Sequence, residues 1–171
     1  METVVNEKSV SRHQAQLHYE AELANARIEC RQRNREARKQ YNAEKQRLNK
    51  ELAGLQTDYQ AERQLLYNDI DSAIATRNHL RRQGYADHSV EVEESYQKQR
   101  YAERNLADLK MNYHYDCNRI HEMLQAKLSA YESLCAINAK WHEQRKKELC
   151  EELRQSLMSC PDGYRGDGYR G

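Results

Sequence analysis

Residues 1–160 contain no proline and only two glycines, Gly54 and Gly84. Those two residue types are the main punctuation of a chain. Glycine supplies positive φ, and proline removes a backbone donor and bars the preceding turn. A stretch this long with almost neither has few places to reverse.

Scarce glycine and proline also separate helix from disorder, because disordered segments are usually rich in both. The bulk of residues 1–160 is Ala, Glu, Gln, Arg, Lys and Leu, all strong helix formers. The 171 residues are 32% charged and only 38% hydrophobic, and that figure counts twelve Tyr; there is one Trp and no Phe. With a mean hydropathy of -1.16, the chain is too poor in aliphatic side chains for a globular core. A helical seam needs only about two apolar residues in seven. The expectation is long helix.

Local signals divide it. Residues 1–10 form an N-terminal extension, and Ser11-Arg-His-Gln14 reads as a capping box opening a helix over 11–82. Residues 83–88 are the one turn-like stretch before the tail, with Gly84 suited to a left-handed C-terminal cap. Ser89 then fits the N-cap of a second helix over 89–159, with Glu91, Glu93 and Glu94 near its positive end. Pro161 and Gly163 stop that helix, leaving 160–171 as a short flexible Gly/Tyr/Arg tail.

Two arms of nearly equal length, each roughly 105 Å at 1.5 Å per residue, suggest an all-α antiparallel helical hairpin, a coiled coil folded on itself. If so, facing residues have numbers with a constant sum. A sum of 172 pairs Leu66 with Leu106, Tyr59 with Tyr113, Leu52 with Ile120, Leu48 with Leu124 and Tyr41 with Tyr131. The seam steps 120, 124, 128, 131, 135 mirror 52, 48, 44, 41, 37, including a stutter in the heptad count. Glu44 opposite Leu128 is the misfit. Toward the open end the same rule sets Asn34 against Asn138, Cys30 against His142 and Arg27 against Arg145. Polar layers fix register and stabilise little, and facing arginines repel.

A second apolar row stands off the seam. Ala130, Leu134, Ile137 and Trp141 follow helical spacing, and Trp141 on an outer face calls for burial. They are the expected oligomer interface, most simply in a dimer of hairpins; the plainer alternative lays Lys and Arg stems over the indole.

Three constellations bear on chemistry. His114, Cys117 and His121 share a helix face at spacing that suits zinc, with Asp58 or Glu51 opposite. The simpler reading packs Cys117 on Leu55 and lets each carboxylate bond its imidazole, so neither a metal nor any other cofactor is expected. Residues 27–50 carry nine bases, Arg27, Arg31, Arg33, Arg35, Arg38, Lys39, Lys45, Arg47 and Lys50, against three Glu. They could follow phosphates, or serve solubility and i,i+4 pairing. No phosphate loop, nucleophile elbow or HExxH is present, so no enzyme is expected.

The net charge of +1 gives no global draw to polyanions. The N-terminus lacks a signal-peptide core, no run suits a membrane span, and five cysteines without CxxC suit a reducing compartment. Arg165-Gly166-Asp167 arises where DGYRG is repeated. The sequence therefore leads to a non-enzymatic, self-associating rod, a scaffold or spacer among other assembly proteins in the cytoplasm or in an intracellular or viral assembly. A nucleic-acid-binding coiled coil is the alternative, and an adhesion ligand through residues 165–167 the third.

Overall fold

The computed structural model describes residues 11–160. Arg12–Arg82 forms α1 and Val90–Ser159 forms α2, and the two pack against each other as an all-α helical hairpin. Residues 1–10 and 161–171, which hold the N-terminal extension and the Arg165-Gly166-Asp167 tripeptide, lie outside the described residues.

The boundaries follow the local signals. At the start of α1 the Ser11 amide donates to Gln14 Oε1 and the Gln14 amide to Ser11 Oγ, both at 3.1 Å. That is the reciprocal capping box, satisfying two donors that the first turn would otherwise leave bare. At the end of α1, Gly84 adopts φ 89°. The Gly84 amide then donates to the Arg81 carbonyl and the Tyr85 amide to the Leu80 carbonyl, both at 3.1 Å. This 5→2 and 6→1 pair is a Schellman motif, and only glycine enters it without a Cβ penalty. Ser89 caps α2 through Oγ, accepting from the Val92 amide at 3.4 Å.

Two compact units share the helices: Tyr41–Ser129, and residues 11–40 with 130–160. Tyr41–Ser129 contains the turn. Its core holds Leu48, Val92 and Ile120, each fully buried, with Ala73, Ala102 and Ser95. Burying an aliphatic chain of this size contributes about 1.5–3 kcal/mol. Tyr59 and Tyr113 stack at 4.2 Å between centroids, the facing pair that the sum of 172 predicts. Buried Arg77 lays its guanidinium over the Tyr96 ring at 4.0 Å and donates to Gln99 Oε1 at 2.9 Å. Arg81 straps the turn, donating to Asp87 at 2.7 Å and to the Tyr96 hydroxyl at 3.0 Å.

The other unit is built from smaller parts. Its buried residues are Ala15, Ala26, Ala37, Asn138 and Leu149. Asn138 Nδ2 donates to Asn34 Oδ1 at 2.8 Å, again at the sum of 172, and the Cys30 thiol donates to the Asn138 carbonyl at 3.6 Å. Tyr19 Oη and Cys150 Sγ meet at 3.4 Å near the helix ends.

The stutter read in the sequence is one instance of a longer pattern. Along α1 the buried positions Ala15, Ala26, Ala37 and Leu48 recur every eleven residues. An eleven-residue repeat corresponds to about 3.67 residues per turn, closer than the heptad's 3.5 to the 3.6 of a straight helix. Alanines at three of the four positions allow close backbone approach.

Two expected misfits resolve differently. The Glu44 carboxylate turns to Arg47 at 3.0 Å and Lys127 at 3.7 Å. Arg47, through its hydrogen bond and charge, holds the Glu44 carboxyl below its usual range, and Lys127 adds to the effect. Nor do Arg27 and Arg145 repel across a bare seam. Arg145 is surrounded by Glu22, Glu148 and Glu152 at 3.7, 3.4 and 3.1 Å, while Arg27 is exposed. Long side chains reach a turn along the helix or out to the flank, so facing number does not dictate facing atoms.

Candidate functional site

In the unit formed by residues 11–40 and 130–160, the two flanks of the α1 seam carry opposite chemistry. Positions immediately before and after a seam residue lie about 100° to either side of it. Arg33 precedes seam residue Asn34 and Arg35 follows it, so the two point to different flanks.

Arg33 marks the apolar flank. Its guanidinium lies over the Trp141 indole at 4.1 Å while it also pairs with Glu29. Trp141 is therefore half-buried rather than bare, covered on one face by a cation–π contact. The cover stops there. Ala130 is exposed, Leu134 is 43% exposed and Ile137 59%, in one row with Trp141 at spacings of four, three and four.

The other flank is basic. Arg27, Arg31, Arg35 and Arg38 directly follow the seam residues Ala26, Cys30, Asn34 and Ala37, and all four are exposed. None has Asp or Glu three or four positions away in either direction. Among the described residues the ion pairs of this segment belong to Arg33 and Arg47, not to these four. The row contains like-charge neighbours at i,i+4 and i,i+3, each destabilising a helix by about 0.2–0.5 kcal/mol. Of the remaining bases of the segment, Lys39 and Lys50 are exposed and Lys45 lies 5.9 Å from the Tyr41 ring centroid.

The His114, Cys117 and His121 face does not assemble. Nδ1 of His121 meets the Cys117 carbonyl at 2.7 Å on its own helix, and His114 tilts against the Tyr113 ring. Interaction with the nearby Cys117 thiol, and to a lesser degree burial, raise the Tyr113 phenol above its usual range. Glu51 reaches Arg47 and Arg119 at 3.8 Å rather than His121. Among the described residues no cluster of three His, Cys, Asp or Glu side chains is placed to hold a metal ion. None of the five cysteines forms a disulfide among the described residues.

Within Tyr41–Ser129 an open groove of about 510 Å³ runs between the helices beside the turn. Leu66, Ala73, Leu80 and Ala102 line it, with Asp69, Glu91 and Glu94 also among its lining residues. Sequence reasoning missed this groove and the buried Arg77. A lone arginine among polar residues has no periodic signal, and small residues at 72, 73, 95 and 102 leave space only once the arms are paired. Among the described residues no helix is long and apolar enough to cross a membrane. No family model, no curated protein and no solved structure matches this chain.

Proposed function

We propose that the hairpin is a non-enzymatic structural protein that self-associates and serves as a scaffold or spacer within a larger cytoskeletal, secretion or viral assembly, in the cytoplasm or in an intracellular or viral assembly. The observation that carries this reading is the row Ala130, Leu134, Ile137 and Trp141, exposed at its first three positions and half-covered by Arg33 at the fourth. A helix pair with a narrow seam gains little burial on its own. A contiguous apolar row outside that seam offers more when another helix lies along it. A second copy of the chain supplies such a helix, and four-helix packing is the simplest arrangement that covers both rows. Fewer than ten apolar side chains are fully or nearly buried within either unit, so association would add substantially to stability.

Light scattering coupled to size exclusion tests the reading. Wild type is expected at twice 20.3 kDa or more, and Ile137→Glu with Trp141→Ala at the mass of one chain. A mass that does not change on substitution rejects this interface.

A further inference from the structure

We propose that Arg27, Arg31, Arg35 and Arg38 bind the phosphodiester backbone of a nucleic acid. The row runs from Arg27 to Arg38, about 16 Å of helical rise along α1, and lies wholly within the unit of residues 11–40 and 130–160. Each guanidinium is exposed, each stands beside a seam residue, and none meets a carboxylate among the described residues. Elsewhere the same unit pairs its arginines: Arg33 with Glu29, Arg145 with three glutamates and Arg154 with Glu151. The four unpaired ones are consecutive on one flank, where mutual repulsion works against the helix that carries them. A ligand with evenly repeated negative charge relieves that repulsion.

The residue type favours phosphate. Arginine's planar fork donates two parallel hydrogen bonds to a phosphate and is weakly hydrated, whereas the lysines of the segment act as point charges. A lipid surface is disfavoured because an interfacial helix buries an apolar face beside its bases, and the apolar row of this unit lies on the opposite flank. With an overall charge of +1, attraction is confined to this strip, and recognition follows the backbone rather than base identity. The inference does not depend on self-association.

Fluorescence anisotropy of the full chain with a labelled 30-base-pair duplex, and with one strand of it, tests the proposal. Four displaced counterion sites give a log K against log salt slope of about -3.6 for duplex and about -2.8 for single strand. The duplex value is a loss of about 150-fold between 50 and 200 mM salt. Arg27→Gln, Arg31→Gln, Arg35→Gln and Arg38→Gln together are expected to lower duplex affinity at 50 mM salt about 100-fold and flatten the slope. The charge-matched set Arg47→Gln, Arg119→Gln, Lys127→Gln and Arg154→Gln removes four ion-paired bases and is expected to stay within about tenfold of wild type. Glutamine keeps helix propensity, so circular dichroism should match for all three proteins. Wild type failing to bind either nucleic acid at 50 mM salt overturns the proposal, as does an equal loss in the two quadruple variants. Tighter binding to polyglutamate or to anionic vesicles than to the duplex also overturns it, assigning the row to an acidic protein or a membrane.

Discussion

The two units solve the same packing problem with different materials. Tyr41–Ser129 inserts Leu48, Val92 and Ile120 fully into its seam and stacks Tyr59 on Tyr113. The unit of residues 11–40 and 130–160 buries three alanines, one leucine and Asn138, which bonds the part-buried Asn34. Large aliphatic chains supply transfer free energy. Alanines and amides supply closeness and register, with far less burial per residue. The difference is one of packing: one unit closes its seam with large aliphatic chains, and the other with small and amide side chains. Both surfaces proposed above, the apolar row and the arginine row, belong to the second.

The largest effect should come from the aliphatic core. Ile120→Ala removes a fully buried side chain, and such truncations cost about 2–5 kcal/mol; a thin hairpin that can relax belongs near the lower end. Urea unfolding followed by circular dichroism measures it. A loss below about 1 kcal/mol would break the contrast between the units.

A smaller effect, with an informative sign, is expected at the polar layer. Asn138→Ala strands the Asn34 amide and should cost about 1 kcal/mol. Replacing both asparagines with leucine should instead raise the urea midpoint while relaxing register, visible as mixed cross-links between cysteines placed at facing positions. A double variant that is both less stable and uniquely registered would show that the amides stabilise the layer outright.

The smallest expected effect is the pH response of Glu44, the one acidic seam position of Tyr41–Ser129. Its folded carboxyl titrates below the ordinary range because of Arg47 and, secondarily, Lys127. The stability it contributes is therefore complete above the ordinary glutamate value of about 4.3 and lost as pH falls through the lower folded value. Acid titration of the urea midpoint should be shallower in Glu44→Gln than in wild type. Identical acid limbs would mean that the pair contributes nothing.

Much of this architecture is legible from residue order. The lack of proline and near-lack of glycine through residue 160 give the helices, and Ser11, Gln14, Gly84 and Ser89 mark their ends with bonds that form as the cap chemistry requires. Constant sums locate Asn34 on Asn138 and Tyr59 on Tyr113 because an antiparallel register, once fixed, cannot drift without losing every pair. Side-chain destinations are less legible. Arg33 over Trp141, and Glu44 between Arg47 and Lys127, depend on rotamers that periodicity does not specify. The arginine row was present in the sequence but hidden within a block of nine bases. Asking which of its six arginines lack an acidic neighbour at three or four residues separates it, although Lys45 and Lys50 lack one too. The groove beside the turn has no linear signature, since it arises from what small residues on two arms leave unfilled.

The single reversal at Gly84 has a consequence for synthesis. Tyr113 follows its stacking partner Tyr59 by 54 residues, while Cys150 follows Tyr19 by 131. At translation rates of about 5–20 residues per second, Tyr19 waits roughly 7–26 s for its partner to be made, more than twice as long as Tyr59. During that interval the early part of α1 is a half-seam in water beside ribosomes and other nascent chains. The buried positions it shows there are only Ala15, Ala26 and Ala37, while Leu17 and Ile28 stay exposed in the folded hairpin as well.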